Sequence, residues 1–283
     1  MTVAPPADQL SHAEQVYAIK TWRYLRLAMV TVVVGLGVSI GFERSKAPGC
    51  FQHSISAYYY TPVQGFLVGA LVAIGACLIA LQGNTEAEDI LLNLAGMFAP
   101  VVALVPTPGT GSCASVLGST KDRDVNVANN VFALLAVGLV AIVVVGALVV
   151  RGFVRGLPPA TPSVIGYAVS VAVWAVGVGV FEGDRHFFTR NAHYAAAILM
   201  FVCILLVVVL NAFAFKSKTD ADSVRNRYMA IASAMLASVV VIGILAVTTD
   251  WQHWVLVLEA ALIGLFALFW VVQTAELWHD GLR

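Results

Sequence analysis

Eight long apolar stretches, most of them free of charged residues, constrain this chain more than any other feature of its sequence. A helix needs about 20 mostly apolar residues to cross the hydrocarbon core of a bilayer. Strands of a membrane β-barrel would alternate apolar and polar residues over about ten positions, and these stretches do not alternate. The sequence therefore predicts an all-α, polytopic transmembrane helix bundle of about eight spans. The predicted spans are Tyr24–Phe42, Val63–Leu81, Ile90–Val105, Val131–Val150, Val164–Phe181, Tyr194–Phe215, Tyr228–Val247 and Trp254–Val272.

The charge content excludes the common soluble classes. Only 11% of the 283 residues are Asp, Glu, Lys or Arg, and 60% are apolar. An ordinary soluble domain carries about 25% charged residues, which cover its surface. The 16 basic and 16 acidic residues balance, whereas a protein that binds nucleic acid needs a basic excess. Membrane lipids are the predicted partners, with a homo-oligomer as a further option. No nucleic-acid partner and no cofactor are predicted.

Lysine and arginine predict the orientation of the chain, because these residues resist translocation. With eight spans both termini share one side, and that side receives more basic residues than the other. Its ten are Lys20, Arg23, Arg26, Arg151, Arg155, Lys216, Lys218, Arg225, Arg227 and Arg283, against the six Arg44, Lys46, Lys121, Arg123, Arg185 and Arg190. We therefore expect a protein of the plasma (inner) membrane with cytoplasmic tails over 1–23 and 275–283 and a transmembrane domain over 24–274.

Three further patterns bear on the architecture. The third stretch is short and contains Pro100, so a re-entrant hairpin is the alternative to a full span. Residues 11–26 are predicted as the flank of the first span rather than as a separate interfacial helix. Similar segments recur at offsets of about 139 residues, as in Phe42-Glu43 and Phe181-Glu182. They suggest a four-plus-four internal repeat, although apolar sequences also match by chance.

The four cysteines divide into two pairs. Cys77 and Cys203 lie inside predicted spans, where a thiol fills space as a small apolar group. Cys50 and Cys113 lie in two loops on the side that the charge count places outside. Oxidising compartments permit disulfides, so we expect a Cys50–Cys113 bond, and the alternative is two unpaired loop thiols.

Polar residues gather at the predicted outer ends of the spans. Glu259 is the most informative of them, because an acid inside a span is costly and usually faces a cavity or a partner. The alternative is that Glu259 reaches interfacial water or pairs with Arg44 or Arg185. The predicted outward-facing pocket comprises Glu43, Ser54, Ser56, Tyr58, Glu182, His193 and Glu259.

These residues leave three functions open. The first is a non-catalytic protein that binds a lipid or small molecule in the pocket. The second is a membrane-embedded, metal-dependent hydrolase whose candidate residues are His53, His186, His193 or His253 together with Glu182 or Asp184. On one helix, His186 and His193 would stand about 10 Å apart, too far to share one zinc ion. The third is a proton-coupled transporter that uses Glu259.

Two short motifs carry a resemblance to a known family. The run from Ser54 to Pro62, Ser-Ile-Ser-Ala-Tyr-Tyr-Tyr-Thr-Pro, resembles the Ser-Ile-Ser entry to a span in polytopic proteins of the Frag/DRAM/Sfk type and in related bacterial membrane proteins of unknown function. His193-Tyr194-Ala-Ala is similar to the His-Tyr-x-x-Ala start of a later helix there. The matches cover about a fifth of the chain. The resemblance implies a role in lipid or membrane homeostasis without an established catalytic set, and it points to Ser54, Ser56 and His193.

Overall fold

The computed structural model describes residues 12–46, 51–107, 120–156, 161–213 and 221–279, with only the backbone described for 12–16, 120–124, 161–162 and 221–226. These residues form eight α-helices and one short 3₁₀ helix, Ser56–Tyr60, and no strand occurs among them. The predicted all-α helix bundle is confirmed. The α-helices are α1 (His12–Lys46), α2 (Gln64–Ala80), α3 (Glu86–Leu104), α4 (Thr120–Val154), α5 (Thr161–Gly183), α6 (Arg185–Phe213), α7 (Ala221–Thr248) and α8 (Trp254–Glu276).

Seven of the described helices are long and apolar enough to cross a membrane, which is the architecture of a multi-pass integral membrane protein. The exception is α2, which has 17 residues. The sequence had pointed to the third stretch as the weak span, but α3 is one continuous helix of 19 residues through Pro100. The helix α1 begins at His12, inside the segment predicted as a tail, and it runs unbroken into the first span.

Six helices enclose the main core. Buried side chains from α1, α2, α3, α6, α7 and α8 form one apolar cluster, in which Leu78, Val207, Tyr228 and Phe269 are fully buried. The helix α3 packs most extensively, against α2 on one side and α6 on the other. Because the cluster draws on both halves of the chain, the core forms only when the first three helices meet the last three.

The helices α4 and α5 form a pair at the edge of this core. None of the most apolar stretch of α4 is fully buried, so in a membrane the exposed side chains of α4 that face away from α5 would contact lipid. Two aromatic side chains of α5 hold the pair together by donating to backbone carbonyls of α4. Trp174 Nε1 donates to Leu135 O at 2.9 Å, and Tyr167 Oη donates to Ile142 O at 3.1 Å.

A close contact between two glycines brings α2 against α3. A Cβ atom on Gly75 would lie 2.8 Å from Gly96 O, and a Cβ atom on Gly96 would lie 2.7 Å from Gly75 O. Pro100 has no N–H to donate to the Gly96 carbonyl, four residues earlier, and its Cδ atom also faces Gly75. Small residues at such crossings let helix backbones approach closely, which drives helix association in membranes.

We expect Gly75→Ala to destabilise the bundle by about 1–3 kcal/mol, because the added methyl group meets backbone atoms that cannot move independently of α3. Gly69→Ala is the matched control on the same helix, since a Cβ atom there meets nothing within 4 Å. The control should be neutral or stabilising by up to about 1 kcal/mol. The measurement is reversible unfolding in detergent followed by circular dichroism. Equal stability of the two variants would contradict the tight crossing.

Candidate functional site

Residues 51–63, which precede α2, fold into the end of the bundle instead of lying over it. We call residues 51–63 the cap segment. Its Ser54, Ser56 and Thr61 are buried, as are most of its apolar residues. Buried backbone needs internal hydrogen bonds in a membrane protein, and the cap segment finds them across the bundle. Leu256 N donates to His53 O at 3.0 Å, and Tyr60 Oη donates to Thr107 O at 2.7 Å.

Three polar side chains from different elements meet below the cap segment. We call Ser56, His193 and Glu259 the polar trio. Ser56 Oγ lies 2.9 Å from His193 Nε2 on α6 and 3.3 Å from Glu259 Oε1 on α8. His193 Nδ1 lies 2.7 Å from the carbonyl oxygen of Val105, at the end of α3, and Ile55 N donates to Glu259 Oε2 at 2.5 Å. The hydroxyl of Ser56 therefore bridges an imidazole and a carboxyl group.

Counting hydrogens defines the protonation states that satisfy the polar trio. A carbonyl oxygen only accepts, so His193 Nδ1 carries a hydrogen. If the imidazole is neutral, Ser56 donates to Nε2, and Glu259 bonds to Ser56 only when its own Oε1 is protonated. If the imidazole is cationic, Nε2 donates to Ser56, which donates to an ionised Glu259. Both arrangements hold one shared proton and are neutral overall. They interconvert when hydrogens shift along the hydrogen bonds between His193, Ser56 and Glu259. If the shared proton is removed, the hydroxyl of Ser56 has one hydrogen for two acceptors, His193 Nε2 and Glu259 Oε1, and it can bond to only one of them.

The other predicted pocket residues lie outside the polar trio. Ser54 Oγ accepts from Ala57 N at 3.0 Å, inside the cap segment. Tyr58 packs in a small apolar cluster with Leu36 and Leu67, and burial raises the pKa of its phenol above the ordinary value. Glu43 is buried, with Lys46 Nζ at 3.6 Å.

Glu182 lies away from the trio. It is exposed and pairs with Arg185 at 3.3 Å. Arg44 lies with its guanidinium carbon 4.1 Å from the ring centre of Phe51. Neither of the two arginines named as alternative partners of Glu259 thus occupies that role, and the contacts of Glu259 are with the cap segment.

The four histidines of the metal hypothesis do not converge. His53 and His253 stack with ring centres 5.9 Å apart, and His186 is exposed at the start of α6. Both ring nitrogens of His193 already contact protein oxygens. Among the described residues, no group of three His, Cys, Asp or Glu side chains is placed to hold a metal ion.

The cysteines are described only in part. Cys77 and Cys203 are free thiols within helices, as predicted. Cys50 and Cys113 lie outside the described residues, so their disulfide remains a prediction.

A narrow apolar cavity lies directly below the polar trio. Its volume is about 70 Å³, and its walls come from α1, α2, α3, α6, α8 and the cap segment. On α2 the wall runs from Leu67 to Leu78, which is about 16 Å by the rise of a helix. The lining side chains that carry polar groups are Ser56, Tyr59 and Glu259, all at the cap-segment end. So small a volume over this length makes the cavity thin, and its shape suits a linear chain better than a ring system.

A second buried polar cluster lies at the other end of the bundle. Asn211 Nδ2 donates to Glu88 Oε1 at 2.8 Å, and Gln273 Nε2 donates to Asn211 Oδ1 at 2.9 Å. Asn84 donates to Glu88 from both its backbone and its side chain. The cluster links α3, α6 and α8. Glu88 is not among the predicted site residues, because Thr85-x-x-Glu88 is the pattern of a capped helix start.

Comparison with protein-family models, with curated proteins and with solved structures finds no match for this chain.

The hydrogen count generates a stability prediction at Glu259. In Glu259→Gln the amide oxygen can still accept from Ile55 N, and the amide nitrogen can donate to Ser56 Oγ. We therefore expect a loss of less than about 1 kcal/mol, whereas Glu259→Leu leaves Ile55 N without its acceptor and should cost about 1–3 kcal/mol. Unfolding in detergent measures both. A glutamine variant as unstable as the leucine variant would show that an ionised carboxylate is required and would exclude the neutral arrangement of the polar trio.

Proposed function

We propose that this multi-pass membrane protein binds a single-chain amphiphile, with the hydrocarbon chain in the cavity and the polar group at Ser56 and Glu259. The observation that carries the proposal is the shape and chemistry of the cavity. Its walls are apolar over about 16 Å and become polar only at the cap-segment end. Ligand sites commonly combine such an apolar lining with a few convergent polar groups, and they occur between the helices of bundles.

The placement of the motif residues gives independent support. The Ser-Ile-Ser and His-Tyr motifs, whose resemblance implied a link to lipid or membrane homeostasis, are far apart in the sequence. In the fold Ser56 and His193 are hydrogen-bonded, and Ser56 lines the cavity. We propose that the resemblance reflects a shared lipid-related role of this end of the bundle. The ten-to-six distribution of basic residues would place this end outside the cell and both termini in the cytoplasm.

Binding is proposed in preference to metal-dependent hydrolysis. A catalytic zinc ion needs three protein ligands and an open position, and the described residues offer no such group of side chains. The Ser56 hydroxyl is held between His193 and Glu259, an arrangement that orients a polar group of a ligand without requiring any chemical step.

We expect Ala197→Phe to abolish retention of the bound amphiphile, because Ala197 lines the cavity and a phenyl ring would occupy it. Ala195→Phe is the matched control, since Ala195 is exposed on the same helix and would face lipid. The protein is purified in detergent, extracted with organic solvent, and the co-purified lipids are quantified by mass spectrometry. Equal retention by both variants, or no retained amphiphile in the wild type, would refute the proposed function.

Proton-coupled transport is a second candidate function, and the hydrogen-bonded chain from Glu259 through Ser56 to His193 favours it. In proteoliposomes under an imposed membrane potential, this function predicts proton flux that an entrapped pH-sensitive dye reports. Ser56→Ala should stop the flux, because it removes the bridging hydroxyl. Ser54→Ala should retain it, because Ser54 bonds only within the cap segment in its described contact. Identical flux in both variants would exclude the polar trio as the proton path.

A further inference from the structure

The polar end of the cavity selects the head group of its ligand. This inference rests on the proposed function. It concerns the hydrogen-bonding capacity that remains after the polar groups of the protein have bonded to one another. Of the three lining side chains that carry polar groups, the Tyr59 phenol can both donate and accept. Discrimination therefore depends on Ser56 and Glu259.

The unused capacity of Ser56 and Glu259 is acceptor capacity. A carboxyl group offers about four acceptor positions, and the described contacts of Glu259 are three, with the backbone N–H groups of Ile55 and Ser56 and with Ser56 Oγ. The single hydrogen of Ser56 is committed within the polar trio in either satisfied state, and both ring nitrogens of His193 are engaged. A group that enters this end of the cavity therefore gains most when it donates hydrogen bonds.

The charge of the cavity lining also disfavours an anionic head group. The lining contains Glu259, whereas no lysine or arginine lines it within the described part of the chain. Burying an anionic group without a positive partner is strongly unfavourable. A phosphate or carboxylate head group would meet the carboxyl group of Glu259 and find no compensating charge there.

We infer that the ligand is a linear amphiphile whose head group is a hydroxyl or an amine, a non-anionic hydrogen-bond donor, held by Glu259. The thin cavity receives the alkyl chain, and the donor bonds to the remaining acceptor position of the carboxyl group. In the arrangement with an ionised Glu259, such a bond is about twice as strong as a bond between neutral groups. Preference for the donor should thus be measurable among ligands that share one alkyl chain.

The test uses four probes with the same alkyl chain: dodecanol, dodecylamine, dodecyl methyl ether and dodecyl phosphate. The full-length protein is placed in phosphatidylcholine nanodiscs and labelled with a diazirine derivative of dodecanol. Labelling of α6 residues that line the cavity, such as Met200 and Phe201, is read by peptide mass spectrometry. Each probe is then added as a competitor, and Ala197→Phe defines labelling that does not come from the cavity.

Dodecanol and dodecylamine should compete at concentrations about tenfold or more below those of the ether and the phosphate. In Glu259→Gln the amide supplies an additional N–H donor, so the gap between dodecanol and the ether should close. Equal competition by the ether or the phosphate in the wild type overturns this inference alone, as does an unchanged gap in Glu259→Gln. Absence of any cavity labelling in the wild type overturns the proposed function together with it.

Discussion

The hydrogen bond from the backbone of Ile55 to Glu259 is the interaction on which the arrangement of this end of the bundle depends. Buried non-helical backbone in a membrane protein needs protein groups that satisfy its hydrogen bonds. Glu259 does this for Ile55 N and, through Ser56, links the cap segment to His193. An acid inside a span is unfavourable, but this carboxyl group fixes the position of the polar groups at one end of the cavity.

The cap segment also explains why α2 is short. A helix of 17 residues is about 26 Å long by its rise, less than the hydrocarbon thickness of about 30 Å. Tyr58, Tyr60 and Val63 are buried next to the start of α2, so the cap segment fills the space that a further turn would occupy. Because the segment folds inward, Ser56 reaches the interior, which a longer α2 with a surface loop would not allow.

The architecture follows from the sequence more directly than the site does. Each apolar stretch indicates by itself that one helix lies in lipid. All eight helices could therefore be predicted separately from the sequence. An acid inside a span singled out Glu259, and two short motifs singled out Ser56 and His193. Whether two polar residues face each other depends on helix rotation and packing, which no single stretch encodes. Glu182 was therefore grouped with the pocket although it is exposed, and Glu88 was missed although it is buried.

The two polar clusters together determine how the cavity can respond to a ligand. The cluster of Glu88, Asn211 and Gln273 joins α3, α6 and α8 at one end, and the polar trio joins the same helices to the cap segment at the other. Between them the walls are held by apolar contacts, which lack direction and tolerate repacking of side chains such as Met200. If the amphiphile that we propose enters the cavity, its chain could widen the middle while both ends keep their geometry. The head-group contacts would then be preorganised, and the wall of the cavity would be the part that adapts.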